Sequence, residues 1–245
     1  MTTGKVLVLG VPFNNLTMEQ LLQKLEEHLE NQDKIFMATS NPEIVMYAEK
    51  DPEYRKILTE ADYNIPDGIG IVKAAKLLNL PIEERVTGFD TVMHLLEVAD
   101  RKRLKLYFLG STEDVLQKAV ERTKANYPHI DLVGARNGFF DWHDPSIAED
   151  IQAKKPDIIL VGMGFPRQEK WIYEHLPSFE KGLFIGVGGT IDILAGEVKR
   201  APAMWQKYNV EWLYRLLSDP TRFKRMMVLP VFMMKIYAKR LTTKH

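Results

Sequence analysis

Residues 156–194 read PDIILVGMGFPRQEKWIYEHLPSFEKGLFIGVGGTIDIL. Two short runs inside this stretch, 158–161 and 183–187, are apolar at every position rather than at alternate ones, and each runs into glycine: Gly162 and Gly164 after the first, Gly188 and Gly189 after the second. A strand that is apolar on both faces belongs in a parallel sheet covered on both sides. Working outward, the same signature recurs at 6–9, 35–38 and 106–109. Amphipathic segments lie between the runs. Residues 18–29 follow Thr17, with Gln20 three positions on, which is a capping box. Residues 113–125 follow Ser111 and Thr112. Residues 145–153 follow Asp144, an N-cap with proline at the first helical position. The repeated β–α order predicts an α/β fold, a Rossmann-like and mainly parallel sheet with helices on both faces.

From Ala201 the alternation stops. Residues 203–217 and 222–241 read as two helices with no strand between them. The expected division is therefore an α/β core over 1–196 and a C-terminal helical appendage over 197–245. Charge sharpens it. The chain has 33 Lys or Arg and 33 Asp or Glu, but seven of the basic residues and none of the acidic ones follow Asp219. The remaining 26 basic residues face 33 acidic ones, so a body of about −7 carries a tail of about +7, and such asymmetry points to an anionic partner for the tail. Met226, Met227, Leu229, Phe232, Met233 and Ile236 fall near helical spacings, with Lys235, Lys239 and Arg240 alongside. That pattern suits a helix lying in a membrane interface. A core helix, or one packed on a partner or a second copy, explains the same stripe; the positive charge favours the membrane. No apolar run approaches the ~18 to 20 residues needed to span a bilayer, and the first residues lack the form of a signal peptide. A cytoplasmic protein, peripheral on the inner face of the cell membrane, is expected. There are no cysteines, which excludes disulfides, thiolate metal sites and a cysteine nucleophile.

In doubly wound sheets ligands sit beyond the carboxyl ends of the strands, and the glycine turns there allow backbone to approach a phosphate. Gly110, Gly164 and Gly188 are the candidates, with Asp192 just beyond; tight strand–helix turns explain the same glycines. Neither GMGFPR nor GVGGTID completes a dinucleotide fingerprint, and no P-loop is present. Asp67, between a proline and a glycine at a strand end, suits a general base or a turn aspartate bonding its own backbone. Thr39 and Asn41 suit sugar hydroxyls, although Asn41 also suits a cap for the helix opening at Pro42. There is no Asp-x-Asp, and in the cluster Asp141-Trp142-His143-Asp144 the last residue is already accounted for as a cap. No metal and no other cofactor is expected. A diphosphate leaving group would then need guanidinium groups, and Arg200, Arg215, Arg222 and Arg225 supply them along the final segment; a solvated basic face is the alternative. No nucleic-acid partner is expected. A nicotinamide oxidoreductase and a non-enzymatic membrane scaffold are the competing classes.

The motifs ATSNPE (38–43), PDGIG (66–70), RVTGFD (85–90), FLGS (108–111), GMGFPRQEKW (162–171), GVGGTIDILAGEVKRAP (186–202) and EWLYRLLSDPTR (211–222), taken in order, closely resemble the WecG/TagA/CpsF family, glycosyltransferase family 26, and within it the teichoic-acid N-acetylmannosaminyltransferases. The resemblance implies an inverting, metal-independent glycosyltransferase. It would move N-acetylmannosamine from UDP-ManNAc onto undecaprenyl-diphosphate-linked GlcNAc, making the β-1,4 disaccharide lipid of wall teichoic acid linkage-unit synthesis. UDP-ManNAc uronic acid and UDP-glucose are the alternative donors. It further implies that Asp67 is the base, that Thr39, Asn41, Arg85 and Gln168 contact substrate, and that Arg215, Arg222 and Arg225 meet the leaving group.

Overall fold

The structure is a computed structural model and describes residues 4–82, 84–142, 144–208, 210–218 and 223–242, without the side chains of Ala203, Arg215, Lys224 and Arg225. Six strands form the main sheet: β3 (Lys34–Ser40), β4 (Tyr63–Pro66), β5 (Lys105–Gly110), β6 (Asp131–Arg136), β7 (Ile158–Gly162) and β8 (Gly182–Gly186). Their spatial order is β4-β3-β8-β7-β5-β6, and every neighbouring pair is parallel. The chain goes outward from β3 to β4 at one edge and from β5 to β6 at the other. It then returns to fill the middle with β7 and β8. The carboxyl ends of β3, β8, β7 and β5 are thereby grouped at the centre.

The apolar runs are explained by the two cores. On β7, Ile158 and Leu160 point to one face while Ile159 and Val161 point to the other; on β5, Leu106 and Phe108 oppose Tyr107 and Leu109. Successive side chains of a strand alternate faces, so a strand buried on both sides must be apolar throughout. One face is covered by α1 (Met18–Asn31), α5 (Gly88–Lys102), α6 (Glu113–Asn126) and α9 (Thr190–Leu194). The other is covered by α2 (Pro42–Lys50), α3 (Pro52–Glu60), α4 (Ile69–Leu77), α7 (Ser146–Lys154) and α8 (Arg167–His175). The capping box of α1 is formed on both sides, by Thr17 and Gln20. Helix α7 starts one residue later than the sequence suggests, and Asp144 still accepts from the Ser146 amide at 2.9 Å.

Residues 6–9 were expected as a strand of the parallel sheet. They belong instead to β1 (Lys5–Val8), which pairs antiparallel with β2 (Val11–Asn14) in a separate hairpin. Leu9 and Gly10 both have positive φ, the backbone of a tight two-residue hairpin turn. The hairpin is tied to β4 by side chains: Asn64 N–H donates to Asn14 Oδ1 and Asn64 Nδ2 to the Pro12 carbonyl, both at 2.7 Å. Strand β6 gave little signal because it is an edge strand, half-buried rather than apolar on both faces.

Where two tail helices are expected from sequence, the described residues form four: α10 (Ala203–Lys207), α11 (Glu211–Ser218), α12 (Phe223–Met226) and α13 (Val228–Thr242). Helix α13 packs against α2 and α4. Phe232 and Ile236 are fully buried there and join the core, whereas Val231, Met234, Tyr237 and Leu241 on other sides of the helix are exposed. Pro230 lies in the first turn, where no intrahelical donor is lost. Truncating a buried phenylalanine leaves a cavity and costs about 3–5 kcal/mol. Phe232→Ala is expected to lower the unfolding free energy by that amount in chemical denaturation, and Val231→Ala by much less; equal, small effects would mean that α13 does not fold with the core.

Candidate active site

The ends of β3 and β4 are in register, Ser40 opposite Pro66, so the residues that follow them, Asn41 and Asp67, emerge side by side. The Asp67 amide donates to the Ser40 carbonyl at 3.0 Å. The glycines around it allow close approach: a Cβ on Gly70 would clash at 2.6 Å from Pro42 Cγ, and one on Gly68 would make a tight contact at 3.3 Å from Pro42 Cδ. The PDGIG loop thus lies directly on the Asn41–Pro42 loop. Asn41 Oδ1 accepts from the Ile44 amide at 3.1 Å, so its oxygen caps α2 and its amide nitrogen is the group left to meet a ligand. Thr39 donates its hydroxyl to the Gly186 carbonyl at 3.1 Å, bridging β3 to β8. Its methyl group fills the space where Gly88 would carry a side chain, which brings the RVTGFD segment against the end of β3. Thr39, Asn41 and Asp67 are brought together.

A second cluster forms where β5, β7 and β8 end. Gly110 adopts φ +132°, and the Ser111 amide donates to the Gly162 carbonyl at 3.0 Å. The Ser111 hydroxyl lies 3.5 Å from Asp192 Oδ1, in the first turn of α9. Gly164 and Gly188 both have positive φ and open space around the position of a Cβ. Beside this cluster Arg167 donates to the Gly138 carbonyl at 3.2 Å, with its guanidinium 5.1 Å from the centre of the Trp142 ring.

Gln168 is buried beneath the second cluster. Its Oε1 accepts the Gly188 N–H at 3.0 Å, and its Nε2 donates to Glu169 Oε1 at 2.7 Å. Burial pushes the Glu169 carboxyl above its ordinary range. Sequence reading singled out Gln168 and passed over Glu169, because a glutamate in a charged helix looks like a surface residue.

Arg85 and Arg200 are held by carboxylates. Arg85 pairs with Glu211 of α11, a buried residue. Arg200 pairs with Asp90 at 2.7 Å, reaches Glu211 at 4.0 Å and stacks over the Phe89 ring. Thr87 caps α5 and bonds Asp90 as well. A network of alternating charge therefore ties α11 to the RVTGFD segment, and Glu211, unremarked in the sequence, is its centre. Arg215 falls within α11 and Arg225 within α12, but both side chains, and Arg222 altogether, lie outside the described residues. So does His143, and with it part of the Asp141–Asp144 cluster.

A groove of about 930 Å³ lies between α1 and α5. Glu19, Glu26, Glu27, Glu30 and Glu84 line it, and that much negative charge repels a nucleotide or a phosphate. The strand-end clusters, with backbone amides and few acids, are the better anion site.

The sequence model of the glycosyl transferase WecG/TagA/CpsF family matches residues 6–245. Proteins of Staphylococcus aureus strains MW2, NCTC 8325 / PS 47 and MRSA252 are each 39% identical over 236 residues, covering 96% of this chain and 92% of their own length. Each is named N-acetylglucosaminyldiphosphoundecaprenol N-acetyl-beta-D-mannosaminyltransferase.

Removing one partner of a buried ion pair leaves the other uncompensated. Glu211→Ala is expected to destabilise the protein by about 2–4 kcal/mol. In a cycle with Arg85→Ala the coupling should exceed about 1 kcal/mol; additive effects would show that the pair does not hold α11 in place.

Proposed function

The chain belongs to the WecG/TagA/CpsF glycosyltransferase family, and from that membership we propose that it transfers N-acetylmannosamine from UDP-ManNAc to undecaprenyl-diphosphate-linked GlcNAc, with inversion. The product is the β-1,4 disaccharide lipid from which wall teichoic acid linkage units are built. The observation that carries the reading is the pairing of a polar cluster containing a carboxylate with glycine turns, two of them open, along the carboxyl ends of neighbouring strands. From β4 to β5 there are four strand spacings, about 19 Å, which is room for a nucleotide-sugar laid across the strand ends.

In this arrangement the diphosphate rests on the turns at Gly164 and Gly188, and Gly110 and Asp192 flank the nucleoside. The sugar reaches toward Thr39 and Asn41. Asp67 takes the proton from the 4-hydroxyl of the acceptor GlcNAc as that oxygen forms its bond to the donor's anomeric carbon. The bond from that carbon to the UDP oxygen breaks, and negative charge builds on the departing diphosphate. Arg215, Arg222 and Arg225 meet that charge; pre-positioned cations at a developing charge are among the largest contributions to catalysis. Arg85 and Arg200 serve by docking α11 through Glu211.

A lipid-borne acceptor requires the enzyme to work at a membrane. No helix among the described residues is long and apolar enough to cross one. Met204, Tyr208, Leu217, Phe223, Met227 and Leu241 are all exposed, and exposed apolar side chains in a basic segment suit an anionic leaflet. The proposed location is the inner face of the cell membrane.

A positioned general base contributes about 10² to 10⁴ in rate. Asp67→Asn is expected to lower kcat by about that factor with UDP affinity unchanged; unaltered turnover removes Asp67 from the mechanism. UDP release measured over a panel of UDP-sugars with a GlcNAc-diphospholipid analogue tests the reaction itself. UDP-ManNAc should be the preferred donor, with turnover undiminished by EDTA. Preference for UDP-glucose or for the uronate contradicts the donor assignment.

A further inference from the structure

The chain of contacts beneath the Gly188 turn ends in a group to which the reaction above gives no part. Glu169 is fully buried on α8, and no cation is among the groups acting on it. Desolvation pushes its carboxyl above the ordinary carboxylate range. One oxygen accepts from Gln168 Nε2 at 2.7 Å. The other is buried beside the hydroxyl of Tyr54 on α3, also buried, which is its weak hydrogen-bonding and electrostatic partner. Gly186, the last residue of β8, packs on the same pair: a Cβ there would stand 2.8 Å from Gln168 Nε2 and 3.1 Å from Glu169 Oε1.

A glutamine amide is a donor at one end and an acceptor at the other, and its two orientations have nearly the same shape. At Gln168 only one of them works, because the Gly188 N–H needs an oxygen. What excludes the other is an acceptor on the opposite side, and Glu169 Oε1 is that acceptor. Without it the amide can turn its nitrogen toward Gly188, donor against donor, and the turn loses its tie to α8.

We infer that Glu169 is a positioning residue for the transfer reaction, a buried acceptor that fixes the Gln168 amide and, through it, the backbone turn at Gly188. It touches no substrate. The inference rests on the reading of that turn as the donor site, and its test separates the two.

Full-length wild type, Glu169→Gln, Glu169→Met and Gln168→Met are compared by thermal unfolding, by hydrogen exchange of the Gly188 amide in ¹⁵N NMR, and by kcat and KM for the donor. Glu169→Gln retains an acceptor oxygen, and both Gly188 protection and kcat/KM should stay within about threefold of wild type, less than the loss of one hydrogen bond would cause. Glu169→Met removes a buried polar group that lacks a full set of partners, so stability should hold or rise. Gly188 protection should nevertheless fall about tenfold, the worth of one hydrogen bond, and kcat/KM by up to about 100-fold, as for a misplaced contact. A purely structural role would not give higher stability with lower kcat/KM. Gln168→Met should lose the same protection at Gly188, which keeps the test decisive if Glu169→Met does not fold. Unchanged protection in either Met variant overturns the inference. So does lost protection with unchanged kcat/KM, or a Glu169→Gln enzyme as impaired as Glu169→Met. If wild type itself turns over no UDP-sugar, the functional reading fails, while the exchange data still decide whether Glu169 governs the turn.

Discussion

A Cβ on Gly110 would stand 2.4 Å from the carbonyl carbon and oxygen of Gly162, a contact that no side chain survives. That single constraint lets the exits of β5 and β7 touch backbone to backbone. The Ser111 amide can then bond across to Gly162, and Ser111 is drawn to Asp192. Ile191 fills the space over Gly162 and seats α9 on the same junction. The result is a floor of peptide groups rather than side chains, in the middle of the sheet, where strand order also gathers the carboxyl ends of β3 and β8. A floor of amides is what a diphosphate needs. On its β4 side the same device recurs, with Gly68 and Gly70 letting the Asp67 loop lie on Pro42.

The C-terminal segment is joined to this floor at two places of different chemistry. Charge holds α11, through Glu211 between Arg85 and Arg200. Apolar burial holds α13, through Phe232 and Ile236 in the core shared with α2 and α4. The exposed apolar side chains of the same helices are left for another surface. Docking and the proposed membrane contact thus use different sides of one segment, and a tail that looks like a simple anchor also completes the fold.

The parallel strands could be read from sequence because burial on both faces forces apolar residues at every position, as on β7. That rule says nothing about which sheet a strand joins: residues 6–9 obey it and still sit in a hairpin, because positive φ at Leu9 and Gly10 turns the chain back. Edge strand β6, half-buried, obeys no such rule. Among candidate site residues, Asp67 and Asn41 announce themselves by lying at strand exits next to proline or glycine, and Thr39 by being a polar residue near the end of an apolar strand. Glu169 and Glu211 do not. Their charges resemble those of any solvated helix, and only tertiary packing shows that one is buried against Gln168 and the other between two arginines. The stripe on α13 was ambiguous for the opposite reason. The helix is apolar on several sides, and nothing local distinguishes Phe232, which is buried, from Met234, which is exposed.

The central claim is that the strand-end floor, and not the acidic groove between α1 and α5, receives the nucleotide. Titrating UDP into ¹⁵N-labelled full-length protein and following the amide shifts tests it most directly. The account predicts saturable shifts at Gly110, Ser111, Gly164, Gly188 and Asp192, with Glu26, Glu27 and Glu30 unmoved. Saturable shifts confined to the α1–α5 groove, or none at the glycine turns, would contradict it.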